Sequence, residues 1–445
     1  MKDKAKRSRW WLLPLSLLAL LALAELILRL VWTPQSMVED VARLRPFYVV
    51  ESQENGVTTY VTNGNPPSKV ISYNPDDPRQ LSALRFVMPK PAGLVRIFVM
   101  GSSPIYGGIG WSANNLSYYL MRDLQAARPD LQFEILNAAA QQMNSKTLTE
   151  IFQEIDVFAP DFILIYIGGA VPSLEAPGSH EMTDLEPVFF YVAEFVQDLR
   201  LVYLLGPTTQ RKIVDFFYVL DEKAVTGLKD EVNVAANMRR MSQESLIDGY
   251  RKLVAQAAAS SSKVAFYEVV TDLAGTPPLW SLHDKKLSKQ DKNDYKELLD
   301  SAERLIKDGD HDQAIAKLEQ ALVIDDAYAK THYLLGQALL AAGRGDEAYQ
   351  AFIDAREKDA SHERLFAEPI DVLREVLNKH HLTLLPTEER FRQLSETGVP
   401  GSDLFHDITH PSTKGLAVLG RIGVEWMLPL LPPGGEGLPE PLPEL

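Results

Sequence analysis

Two stretches of this 445-residue chain superpose on each other at a spacing of 34 residues. The segment from Tyr295, YKELLDSAERLIKDGDHDQAIAKLEQALVIDDAY, lies on the segment from Ala329, AKTHYLLGQALLAAGRGDEAYQAFIDAREKDASH. Ala302 then falls on Gly336, Leu305 on Leu339, Gly309 on Gly343, Ala314 on Ala348, Leu318 on Phe352 and Ala321 on Ala355. Small residues at these points let two antiparallel helices approach closely, and the glycines turn the chain between them. Two helical hairpins cannot bury their apolar faces unaided, so neighbouring segments must complete the stack.

The period and its small and large positions resemble tetratricopeptide repeats. The resemblance implies an all-α insertion, placed at 286–365, that binds partner proteins through a concave groove. Helices near 290 and at 369–381 are expected to cap it. Ordinary helical hairpins packed on a sheet are the competing reading of the same residues.

The repeats interrupt a second pattern. VRIFVM, FEILNAA, DFILIYIG and KVAFYEVV are short continuous apolar runs, as expected of strands buried on both faces. Amphipathic stretches such as LSYYLMRDLQAA and TLTEIFQEIDVF separate them. This alternation predicts an α/β domain with a parallel sheet, over 91–285 and again over 366–430. Ligands of such folds gather at the carboxyl ends of the strands. Residues 33–90 carry the turn signals NGNPPS and NPDDP and short β-prone pieces such as TTYVT, which predict an irregular extension. The Pro- and Gly-rich tail, 431–445, reads as a flexible end.

At the N-terminus, Lys2, Lys4, Lys6, Arg7 and Arg9 precede an apolar stretch from Trp10 to Leu28 broken only by Pro14, Ser16 and Glu25. A helix rising about 1.5 Å per residue nearly crosses a hydrocarbon core of roughly 30 Å over that length. Residues 1–9 are expected in the cytoplasm, 10–32 as a single transmembrane anchor, and the bulk of the chain on the periplasmic or extracytoplasmic side. Ala22-Leu23-Ala24 offers the alternative of a cleaved signal, although the apolar run continues past it into LILRLVW. The formal net charge of -15, with no basic run after the first residues, argues against a nucleic-acid partner. With no cysteine, the chain has no disulfide, thiolate metal site or cysteine nucleophile.

The first apolar run of the α/β domain ends in IFVMGSSPIYGG, and a late loop reads HDITHP. A serine hydroxyl needs a base to become a nucleophile, and a histidine needs a carboxylate to orient it. Ser103, Asp407 and His410 supply these groups, the last two three residues apart. The order resembles the SGNH or GDSL-type hydrolase family. KPAGLVRIFVMGSS resembles its first block, EILNAAAQQMNS its second, DFILIYIGGA its third and DLFHDITHPSTKG its last. TPPLWSLHDKKLS resembles the linker of a bacterial subgroup with a membrane anchor and inserted repeats.

The resemblance covers roughly residues 90–428 and implies a three-layer α/β/α, flavodoxin-like SGNH-hydrolase fold. Carried over, Ser103 is the nucleophile, His410 the general base and Asp407 its orienting group. The function implied is hydrolysis or transfer of an acyl ester of the cell envelope; a catalytically inactive scaffold binding partners of a membrane complex is the alternative. The backbone N–H groups of Ser103 and Ala139 would form the oxyanion hole. Two departures weaken that hole. Ala139 stands where the family has glycine, and Ala170 replaces the donor asparagine, a loss of about 10² to 10³ in rate. Ser102 replaces an acidic residue or glycine, and Pro104 follows the serine directly. A competing reading makes Ser103 an N-cap followed by proline at the first helical position. No cofactor is expected, and the pair His380 and His381 lacks the carboxylate spacing of a metal site.

Overall fold

Strand β4 (Leu94–Gly101) is buried at every position after Leu94, and β6 (Phe162–Tyr166) at every position. Strands without a polar face persist only where both sides of the sheet are covered. In the computed structural model, which describes residues 23–25, 27, 47–62, 85–106, 115–139, 145–167, 231–284, 286–360 and 365–433, these two form the centre of a five-stranded sheet. Its other strands are β5 (Gln132–Asn137), β7 (Lys263–Tyr267) and β8 (Thr383–Leu385). The spatial order β5-β4-β6-β7-β8 is parallel throughout. In chain order this is 2-1-3-4-5, the flavodoxin-like doubly wound arrangement.

The chain divides into two units. One comprises Met1–Asp40 and Leu174–Val234, and within it residues 23–25, 27 and 231–234 are described and helical. Among the described residues no helix is long and apolar enough to cross a membrane. The expected span, 10–32, lies outside the described residues apart from 23–25 and 27.

The other unit, Val41–Ser173 with Ala235–Leu445, holds both sheets and the repeats. Helices α1 (Ser103–Tyr106) and α2 (Leu116–Ala127) follow β4, α3 (Ser145–Asp156) follows β5, and α4 (Glu231–Ala259), which enters this unit at Ala235, follows β6. In α4, Leu246, Tyr250, Leu253, Val254 and Ala257 are buried at the spacing of one helical face.

Residues 33–90, expected to be irregular, contain instead a three-stranded antiparallel sheet of β1 (Tyr48–Glu54), β2 (Val57–Thr62) and β3 (Arg85–Met88). Asn55 and Gly56, at φ 51 and 82, turn β1 into β2. Tyr48 and Phe86 pack edge-on against Phe98 of β4, at 5.9 and 6.1 Å between ring centroids. The fully buried Arg96 donates to Glu134 at 2.5 Å and to the carbonyls of Phe158 and Val87 at 2.7 and 2.9 Å. A buried charge satisfied on three sides is tolerable; without Glu134 it would cost about 3–5 kcal/mol.

The repeats form two helical hairpins, α5 (Lys289–Asp308) with α6 (His311–Ile324) and α7 (Ala329–Ala341) with α8 (Gly345–Lys358). Gly309 and Gly343 sit at φ 80 and 77, in the left-handed conformation that ends a helix. A Cβ on Gly336 would lie 2.9 Å from the Phe352 ring, so the close crossing of α7 and α8 leaves no room for one unless that ring shifts. Residues 369–381, expected to cap the repeats, do not. Helix α9 (Ala367–Lys379) buries Ile370, Leu373 and Leu377 in the core of the sheet. The repeat core is completed instead by Leu273 and Val399, single apolar residues outside any helix or strand. Nor is the helix near 290 an outside cap, because α5 is the first repeat helix itself.

Candidate active site

The serine half of the site is set by strand ends. A Cβ on Gly101, the last residue of β4, would meet the Tyr166 carbonyl at 2.2 Å and Ile105 at 2.7 Å, so β4 and β6 can pair to their ends only with glycine there. The chain then enters α1, where the carbonyl of buried Ser102 accepts the N–H of Ile105 at 3.2 Å. Ser103 opens this short helix, half-buried, with Pro104 and Ile105 buried behind it. Among the described residues no hydrogen bond joins the Ser103 hydroxyl to His410.

At the neighbouring strand end the Ala138 N–H donates to the Val99 carbonyl at 2.8 Å. The Ala139 N–H donates to Asn137 Oδ1 at 2.9 Å. The backbone donor expected of Ala139 is therefore engaged within its own turn. Ala170 lies outside the described residues.

The histidine half is assembled. Asp407 Oδ1 accepts the N–H groups of Thr409 and His410, each at 2.9 Å, which folds the loop back on its own carboxylate. The same turn puts His410 Nδ1 2.8 and 2.7 Å from the two Asp407 oxygens. Burial raises the Asp407 carboxyl, but the hydrogen bonds from the His410 ring and from the Thr409 and His410 N–H groups, with the nearby histidine charge, outweigh it. The net result is a pKa of about 2. An ionised carboxylate only accepts, so Nδ1 carries the proton and donates it. In the neutral ring Nε2 is then the bare nitrogen, and it is buried with no hydrogen-bond partner.

The loop is fixed on several sides. The His406 N–H donates to the His410 carbonyl at 2.9 Å, and the Ser412 N–H to the Leu404 carbonyl at 2.8 Å. Ser412 also caps α11 (Thr413–Met427) by accepting the Gly415 N–H at 3.2 Å. A Cβ on Gly415 would meet the Leu404 carbonyl at 2.3 Å and Pro411 at 2.9 Å. Outside the loop, the Asp272 N–H donates to the Ile408 carbonyl at 3.0 Å.

Sequence reasoning missed Asn137 and the segment Asp272–Gly275. Each has a local signal: an Asn closing a strand before small residues, and an Asp three residues before a Gly, both of which favour side-chain-to-backbone turns. Asp272 Oδ1 accepts the Gly275 N–H at 2.7 Å.

A tetratricopeptide-repeat family model matches residues 305–367, from the end of α5 to the start of α9. Among solved structures, the chain is similar to a protein of Parabacteroides merdae described as a GDSL-like lipase. The identity is 12% over 75% of this chain and 94% of that one, with a TM-score of 0.34. It is also similar to a lipase/acylhydrolase from Enterococcus faecalis, at 13% identity over 77% of this chain and 99% of that one, with a TM-score of 0.29. No curated protein matches the chain. The class rests on its own strand order and repeats: an α/β protein of flavodoxin-like order carrying tetratricopeptide repeats between β7 and β8.

Proposed function

We propose that this protein is a membrane-anchored, extracytoplasmic SGNH-type serine hydrolase or acyltransferase acting on an acyl ester of the cell envelope, an acetylated glycan or a lipid. The observation that carries the reading is the buried Nε2 of His410, which has no hydrogen-bond partner and belongs to a ring oriented through Nδ1 by an ionised Asp407. Among the described residues eight buried side-chain atoms have no partner; what sets Nε2 apart is that Asp407 holds its ring through Nδ1, the arrangement a general base requires.

Ser103 Oγ would attack the ester carbonyl carbon while its proton passes to His410 Nε2. The tetrahedral adduct then breaks its bond to the leaving alcohol oxygen, which takes that proton back from Nε2. Water, or an acceptor hydroxyl, repeats both steps on the acyl-enzyme and frees Ser103. The basic segment 1–9 and the apolar segment 10–32 support a single-pass anchor with the catalytic domain outside the cytoplasm. The repeats support a protein partner.

Turnover of p-nitrophenyl acetate by the full chain in detergent tests the chemistry. Ser103→Ala and His410→Ala should each lower it by about 10² to 10⁴. Equal turnover in both variants and the parent refutes the roles assigned. Extraction of membranes at alkaline pH tests the anchor, since a spanning chain stays in the pellet.

A second reading, a scaffold without catalysis, is favoured by the engagement of the Ala139 N–H with Asn137. On that reading a folded parent protein turns over no ester, and deleting the repeats releases its membrane partners.

A further inference from the structure

The repeats reach the dyad loop through a short relay of hydrogen bonds. Tyr333 of α7 is only 6% exposed, and its hydroxyl donates to the Ala274 carbonyl at 2.8 Å. The N–H groups of Ala274 and Leu273 donate to the Pro400 carbonyl at 3.1 and 3.0 Å. The next N–H, that of Asp272, donates at 3.0 Å to the carbonyl of Ile408, which stands between Asp407 and His410.

Side chains reinforce this path. Leu273 and Val399, the neighbours of Asp272 and Pro400, are buried in the core of the repeats rather than that of the sheet. A Cβ on Gly275 would lie 2.8 Å from the Ser402 nitrogen, so the two segments touch backbone to backbone. Asp272 holds the turn closed by accepting the Gly275 N–H and the Thr276 hydroxyl, each at 2.7 Å. The segment that supports the dyad loop is therefore packed as part of the repeats. Within itself the loop is tied by His406 to His410 and by Ser412 to Leu404; the Asp272 N–H ties it to the segment packed on the repeats, so a shift of α7 reaches it through backbone groups.

We propose that Tyr333 is a positioning residue for the dyad: through Ala274 it clamps Asp272 against Ile408, so the packing of the repeats sets the geometry of His410 and Asp407. The proposal rests on the reading of His410 as the general base. It gives the insertion a role in the same site, because whatever binds the repeats and moves α7 also moves the base. A Tyr333 hydroxyl that merely satisfied a buried carbonyl would affect stability and nothing at His410.

The test compares Tyr333→Phe with Tyr349→Phe in the full chain in detergent. Tyr349 is a matched control, since its hydroxyl also runs from the repeats to the α/β domain but donates to Glu388 in α10 (Thr387–Leu394). Two readouts are taken: the rate of labelling by a serine-directed fluorophosphonate, and the titration of the His410 Cε1–H resonance, assigned with His410→Asn. Tyr333→Phe should slow labelling about fivefold, the effect of one hydrogen bond, and change the proton affinity of His410 by at least about twofold, while Tyr349→Phe leaves both unchanged. If the two variants behave alike in both readouts, the proposal is overturned. If the parent takes no label yet Tyr333→Phe still shifts the His410 titration, the coupling stands and the catalytic reading falls.

Discussion

The two halves of the candidate site are built by different means. Asp407 and His410 stand three residues apart, and one carboxylate makes both the turn and the ring contact. Ser103 and Ala139 sit at the ends of adjacent strands, and their relation to each other depends on the pairing of β4 with β5 and β6. In the histidine half the Asp407–His410 pair is formed, with Nε2 left without a hydrogen-bond partner. In the serine half the expected backbone donor is turned to Asn137. A local turn assembles itself, whereas groups drawn from separate strand ends depend on the pairing of those strands. Apo geometry of catalytic groups is commonly longer than the working geometry.

The largest effect expected on this contrast comes from Asp407→Asn. The amide oxygen can still accept the backbone N–H groups, so the fold is kept, but the carboxylate that selects the Nδ1–H tautomer is gone. Ester turnover should fall by about 10⁴, with thermal denaturation near that of the parent. A small loss of turnover would show that the histidine half is ornamental.

Next comes Gly415→Ala, which forces a methyl group against the Leu404 carbonyl and Pro411. A clash with backbone cannot be relieved by a rotamer change. We expect a loss of about 2–4 kcal/mol in denaturant unfolding, with the His410 loop displaced.

How much of this contrast could be read beforehand follows the same division. The runs at β4 and β6 and the 34-residue period were legible because burial on both faces, or on one helical face, leaves a regular trace. So was the pair Asp407 and His410, because its geometry is local. The sheet of residues 48–62 and 85–88 was legible only in the β-prone TTYVT of β2, since β1 is exposed from Glu51 to Glu54 and alternation is lost. Leu273 and Val399 were not legible, since single apolar residues have no period. The grip of Asn137 on the Ala139 N–H had only a weak local trace, an Asn closing a strand before small residues, because a side-chain torsion decides whether that turn forms.

A smaller effect sharpens the weaker half. Asn137→Ala removes the acceptor that holds the Ala139 N–H. If that N–H serves as an oxyanion donor, labelling by a fluorophosphonate should quicken by up to about tenfold; slower labelling would mean that Asn137 holds a turn the site needs.

The smallest effect is that of pH on stability. The folded pKa of Asp407 is depressed from 3.8 to about 2. Its contribution is therefore present above pH 3.8 and lost as pH falls through 2. With the side chain 47% exposed, screening limits it to about 1 kcal/mol. Denaturant unfolding of the parent and of Asp407→Asn should converge as the pH is lowered across that window.

The most direct test of the central claim is to treat the full chain with a fluorophosphonate and locate the adduct by peptide mass spectrometry. An adduct on Ser103 that disappears in His410→Ala is the result predicted for a serine activated by that base. An adduct on another residue, or none on a folded protein whose His410 and Asp407 remain paired, would contradict it.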